Sequence, residues 1–267
     1  VEILHGHLRK GSANTQRGTK RFVNELVARA RRDDPTRELT VRFDSGFWNN
    51  DTMLNLSRLD VRYTMAIRTN VAAVQAAIAG IDETAWQPID YTQEGEAQVA
   101  ECDYTSGQGA KRVTRRLVVR RTRLTGKTQQ KLWPDWRHHA FLTDLDGNVI
   151  EVDRFHREHA TVELAIKDLK AGAGLEHLPS GVFWANSAWF QIAILAHNMM
   201  RWTARLGGHD TDRLIVARTI RTRLVALPGR LVNRAGQPTL RLPSRWPWAN
   251  TFTKILDTLR ALEPVPT

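Results

Sequence analysis

LTVRFDSGFWNNDTMLNLSRLDVRYTMAIRT, residues 39–69, decides the fold. Its opening, preceded by Glu38, reads as a buried strand that stops at the turn signal Asp44-Ser45-Gly46. NNDTMLNLSRLD follows as a short helix behind an Asn or Asp cap. VRYTMAIRT is a second strand. Upstream, TKRFVNELVARARR places Phe22, Val23, Leu26, Val27 and Ala30 at helical spacing, and Asp33-Asp34-Pro35 breaks that helix. Before it, GSANTQRG is a turn, and residues 1–10 read as a strand already under way at Val1. Strands and helices in alternation predict an α/β layer.

The character changes after the helical NVAAVQAAIAGI. Residues 82–110 hold seven acids and no Lys or Arg, whereas 111–131 hold nine Lys/Arg and no acid. EAQVAECDY and RRLVVRRTRL alternate like strands, and RHHAFLTDL and GNVIEV continue that pattern around Asp146-Gly147. The opposite charge blocks pair as neighbouring strands, or the basic strand, with Arg115, Arg116 and Arg120, lines a DNA channel. From 151 the chain reads as helical: DRFHREHATVELAIKDLKAG, an apolar helix ending at Gly207-Gly208, and TDRLIVARTIRTRLVAL. A hairpin, GRLVNRAGQPTLRLP, and a last helix, WANTFTKILDTLRAL, complete it. The expected divisions are residues 1–81, 82–150, 151–210 and 211–267, the second being a β-rich insertion in the α/β layer. The alternative is a two-domain chain split near 82 and 150.

Composition removes several classes. With 267 residues and 42% apolar content the chain has enough material for a real core. No apolar run approaches the roughly 20 residues that span a bilayer, and VEILHGHLRK lacks the apolar region of a signal peptide. Cys102 is the single cysteine, which excludes an internal disulfide and a multi-cysteine zinc site. These features predict a cytoplasmic protein without membrane contact. Arg and Lys outnumber Asp and Glu by 39 to 28, a net charge of +11. Such an excess suits a nucleic-acid partner, or a solvated surface rich in arginine.

Few residues stand out chemically. Asp44 closes an apolar strand, where open α/β sheets present functional groups, and where Asp also serves as a turn former. His156, His159, Glu163, Lys167 and Lys170 share a face if the helix is continuous. That face is either a solvated stripe with a Glu163–Lys167 pair, or an acidic metal ligand among bases suited to phosphate. His156-x-x-His159 without cysteine is a weak zinc signal. No G-x-S-x-G, Walker A or Rossmann glycine pattern is present, so serine hydrolysis and nucleotide-dependent chemistry have no support.

The words around these residues add a resemblance. HGHLRKGSANTQRGTKRFVNELVARA, then RFDSGFW, then VELAIKDLK and LPSGVFWANSAW resemble the DDE transposases of bacterial insertion sequences, in the branch with a β-rich insertion. The resemblance implies an RNase H-like mixed sheet and C-terminal helices around the insertion. It implies two Asp and one Glu holding two Mg²⁺ or Mn²⁺ ions, and double-stranded DNA as partner, cut and joined by a possible homodimer. Asp44 matches the family's second Asp and Glu163 its Glu. Lys170 matches the basic residue of the Tyr–Arg–Glu–Lys signature. His156 and His159 occupy that signature's Tyr and Arg positions, with Arg157 between them. The DNA-contacting set is then Lys170, Lys167, Arg157, His159, Arg115, Arg116 and Arg120. The family's first Asp lies on a strand before the one corresponding to VEILHGHLR, and Asp33, Asp34, Asp51 and Asp60 sit in loop or helix contexts. The expectation is therefore an incomplete sheet and a truncated transposase that does not cleave DNA, the alternative being a non-catalytic DNA-binding remnant. Trp48, Trp184 and Trp189 are candidates for stacking on an extruded base, or for core packing.

Overall fold

The computed structural model describes residues 2–11, 16–91, 95–123, 136–158, 160–208, 215–243 and 245–262. Two compact units divide the chain, residues 10–159 and residues 1–9 with 160–267. Among the described residues no helix is long and apolar enough to cross a membrane.

The first unit opens with α1, Thr19–Ala30, whose buried Val23 and Val27 are the i, i+4 pair that the sequence spacing predicts. It continues through β1, Thr40–Phe43, α2, Asn50–Arg58, and β2, Arg62–Ile67. Asn49 caps α2, its side chain accepting from Thr52 N at 2.7 Å. Strands β1 and β2 pair in parallel, Val41 opposite Tyr63 and Phe43 opposite Met65. The α2 crossover makes that parallel pairing possible. After α3, Ala72–Ala79, come β3, Gln87–Pro88, β4, Glu96–Ser106, β5, Val113–Arg123, and β6, Arg137–Thr143. They join the same six-stranded sheet in the order β1-β2-β6-β5-β4-β3. Every pairing beyond β1–β2 is antiparallel. The α/β class and mixed sheet expected from the sequence are found.

The acidic and basic blocks are neighbouring strands. Arg123 bonds Glu96 at 2.5 Å, and Arg116 bonds Glu101. Alternation along β5 sends Leu117 and Val119 to one face, with Met53, Leu56, Tyr63 and Met65. Val118 goes to the other face with Val99, Phe141, Val149 and Val152. Helices thus cover both faces of the sheet. The segment GNVIEV is not a strand. Asn148 accepts from Ile150 N at 2.8 Å and starts α4, Val149–Arg157. Its Val149, Val152 and Asp153 are buried at helical spacing.

The second unit contains α5, Ala160–Gly172, α6, Phe183–Leu206, α7, Ala217–Ile220, the hairpin β7, Arg230–Arg234, with β8, Gln237–Arg241, and α8, Ala249–Arg260. A five-residue wide turn, Arg221–Val225, extends α7. Ala235 and Gly236 turn the hairpin at φ +51° and +81°, the left-handed pair that a two-residue loop requires. Residues 151–170 are two helices rather than one, since α4 closes at Glu158 and α5 begins at Ala160. Residues 2–10 form no strand either. The side-chain amide of Asn198 in α6 donates to Ile3 O at 2.9 Å and accepts from Ile3 N at 3.0 Å, replacing a sheet neighbour. Gly6 lies so close to Phe190 and Ile194 that any Cβ would meet them at 2.8 Å.

Candidate functional site

Asp44 follows the last residue of β1, at the end where the parallel pair runs out. Its backbone is extended, and it caps a single 3₁₀ turn, Ser45–Phe47. The side-chain Oδ1 accepts from Ser45 N at 2.6 Å, and its carbonyl accepts from Phe47 N at 3.0 Å. The turn-forming and site-forming readings of Asp44 are therefore compatible. One oxygen organises the turn, and the carboxylate as a whole remains exposed.

The carboxylate borders a cleft of about 300 Å³ within the first unit, lined among others by Ser45, Arg68, Arg120, His139 and His156. His156 shares a 2.7 Å hydrogen bond between Nδ1 and Thr64 Oγ1, and its ring stacks on Phe141 with centroids 4.0 Å apart. Burial, followed by the neighbouring Arg120, pushes His139 below the ordinary histidine range, and burial with Arg121 does the same to His138. Both shifts favour the neutral imidazole, and Arg68 and Arg120 supply guanidinium charge to the cleft.

The arginines of β5 differ in what they touch. Arg115 donates from Nε to Tyr63 Oη at 3.0 Å and from Nη2 to Ser57 Oγ at 3.1 Å. Burial, despite this guanidinium, pushes the Tyr63 hydroxyl up to about 12. Arg116 holds Glu101 and the carbonyls of Leu145 and Gly147. Both are engaged within the first unit. Arg120 is 8% exposed and donates to Asp153 Oδ1 at 2.8 Å. Arg157 donates from Nε to Asp153 Oδ2, also at 2.8 Å. Tyr91 lies under both guanidinium groups, 4.5 Å from Arg120 and 5.2 Å from Arg157.

Glu163, Lys167 and Lys170 are in the second unit. On α5, Glu163, Lys167 and Lys170 are exposed, while Ala165, Asp168 and Leu169 are buried. Glu163 and Lys167 form no ion pair. Asp168 receives Ala217 N on both oxygens, at 2.8 and 3.0 Å, which ties α5 to the start of α7. His156 belongs to α4 of the first unit, and Glu163, Lys167 and Lys170 to α5 of the second. His159 lies outside the described residues. Trp184 is 77% exposed and Trp189 39%, so neither is packed in a core as their apolar helix suggested. Trp189 donates to Gly174 O at 3.1 Å. Trp48 is half-buried against the sheet core.

Sequence reasoning missed Asp153 and Asp168. Each is an acid on the apolar face of its helix, at i+4 from Val149 and i+3 from Ala165, and that placement was the available signal.

The family model for transposase DDE domain group 1 matches residues 1–264. The function of that family is DNA transposition, its substrates are DNA, and divalent metal ions are its general cofactor. Carboxylate oxygens suit such an ion. Asp44 and Glu163 are exposed oxygen donors, neither of them in an ion pair with a described residue. No curated protein matches the chain. Its six-stranded mixed sheet, the aspartate closing β1 and a match over nearly its whole length agree: the chain belongs to the transposase DDE domain group 1 family.

Proposed function

We propose that the chain is an insertion-sequence transposase, acting on the phosphodiester backbone of double-stranded transposon ends and target DNA as a dimer. The observation that carries this reading is the exposed Asp44 carboxylate at the end of β1, beside a cleft walled by arginine. Asp44 and Glu163 are the metal ligands, with Mg²⁺ or Mn²⁺ as the ion. Bound there, the ion supplies Lewis acidity to phosphodiester attack. The chain's own residues bind and orient. Lys167 and Lys170 project from the same exposed side of α5 as Glu163 and meet backbone phosphates as mobile point charges. Arg157 and Arg120 offer planar forks suited to two phosphate oxygens. The 3₁₀ turn fixes the Asp44 carboxylate through Ser45 N, so the ligand is held before the metal arrives.

Mn²⁺ binding followed by electron paramagnetic resonance tests the assignment. Asp44→Ala and Glu163→Gln should each weaken binding by about tenfold or more. Undiminished Mn²⁺ affinity in both variants would remove these residues from the metal site. Binding of a duplex oligonucleotide should fall steeply with salt, and a flat response would end the DNA assignment.

A further inference from the structure

Beneath the Asp44 cleft the charges do not balance. Elsewhere on β5 each acid-paired arginine has its own carboxylate: Arg116 has Glu101, Arg121 has Glu83 and Arg123 has Glu96. Arg120 and Arg157 instead share Asp153, which is fully buried. Two cations on one acid leave one net positive charge, on side chains only 10% and 24% exposed. The Nε of Arg120 is buried without a hydrogen-bond partner. His139, held neutral beside Arg120, adds no charge and subtracts none. Arg68 lines the same cleft and is also cationic. Asp44, at the rim, is in no ion pair with Arg120. A desolvated surplus charge is unfavourable unless an anion joins it.

From this geometry we infer that Arg120, fixed from behind by Asp153, forms a phosphate seat at the floor of the Asp44 cleft, with Asp153 as a positioning residue that touches no DNA. The inference rests on the reading of that cleft as the DNA site, and adds what aims Arg120 and why its charge calls for an anion. Three contacts fix the arrangement. Asp153 holds one arm of the Arg120 fork, Arg157 closes the other carboxylate oxygen, and the Tyr91 face covers both guanidinium groups. A phosphate oxygen entering beside Asp44 would complete the charge count.

Two measurements on the full chain test it. The first is anisotropy of a labelled duplex against NaCl concentration. Arg120→Gln should weaken binding about tenfold and reduce the salt slope by about 0.9, one phosphate contact. Asp153→Asn removes a negative charge near DNA. If Asp153 is only a charge, binding tightens; if it positions Arg120, binding weakens despite the added net positive charge. Tighter binding by Asp153→Asn therefore overturns the positioning role. Should that variant not fold, Arg120→Lys decides, because it keeps the charge and loses the fork: wild-type affinity overturns the proposal, and a loss near that of Arg120→Gln supports it. The second measurement uses inorganic phosphate as probe, comparing Tm in phosphate and in chloride at equal ionic strength. Wild type should gain stability from phosphate, and Arg120→Gln should not. If phosphate responds this way while no DNA binds, the DNA reading fails and the seat stands. If phosphate has no effect beyond chloride and Arg120→Gln leaves the salt slope unchanged, the seat does not exist.

Discussion

Replacing Asp168 by Ala should loosen the helix that carries Glu163, Lys167 and Lys170. The side chain of Asp168 is 3% exposed, and both its oxygens receive the N–H of Ala217, itself fully buried. Removing the carboxylate leaves that donor without a partner, a cost of about 1–3 kcal/mol. The lost bond is also charge-assisted, which places the expected destabilisation in the upper half, about 2–3 kcal/mol. Gly172 limits any repair: a Cβ there would meet Ala217 Cβ at 2.9 Å and Asp168 Oδ1 at 3.0 Å, so the helices already touch. Asp168→Asn keeps one acceptor without the charge, and should cost only about 1 kcal/mol. Urea unfolding of the three proteins gives the comparison. A histidine titration by NMR gives an independent one. Burial pushes His197 below the usual histidine range, and Asp168, 3.7 Å away, partly opposes that shift. At 3.7 Å the pair is no hydrogen bond, so burial prevails. Without Asp168, His197 should titrate lower still. A cost under about 0.5 kcal/mol for Asp168→Ala, or an unmoved His197, would refute the reasoning.

Acid should destabilise the protein through its histidines. His138, His139 and His197 are all depressed, burial being the largest cause, so the unfolded chain binds protons first as pH falls below about 6.5. Their contribution is complete above that value and is lost as pH falls toward the folded pKa; a urea midpoint that rises between pH 7.5 and 5.5 would contradict it. Leu117→Ala, at a fully buried position in β5 on the α1–α2 face of the sheet, should cost about 2–5 kcal/mol by denaturant titration, and a neutral result would mean the strand is not central to the core. On the proposed assignment, Mn²⁺-dependent nicking of supercoiled plasmid should be lost in both Asp44→Ala and Glu163→Gln, and nicking retained by both variants would take these carboxylates out of the site.

The parallel β1–α2–β2 unit was legible because its signals agree: alternating β-branched strands, an Asn cap and a turn at Asp44. Pairing of β4 with β5 was one of two readings of the opposite charges, and GRLVNRAGQPTLRLP was read as the β7–β8 hairpin. GNVIEV was misread because Val149, Ile150 and Val152 fit periods of both two and 3.6, and the Asn148 cap decided for helix. The stop between α4 and α5 has no Pro or Gly to announce it. Residues 2–10 do alternate, but extended backbone becomes a strand only if another strand supplies the ladder, and Asn198 supplies a side chain instead. At the candidate site, Asp44 and Glu163 were singled out by likeness to a family, and the structure adds that both are exposed. The shared Asp153 was not, because no local pattern marks which of two arginines a buried acid will hold.

The Asn198 clasp bears on how the molecule opens. A sheet neighbour would spread its hydrogen bonds over many residues, whereas here the amide concentrates two on Ile3, and Gln191 adds one at Gly6. In amide exchange, Ile3 N–H should therefore behave as a sentinel: protected while the segment is seated on α6, and released in a sub-global opening that leaves the six-stranded sheet intact. Asn198→Ala would lower the energy of that opening selectively, and exchange at Ile3 would accelerate while amides of β2 and β5 kept their native rates.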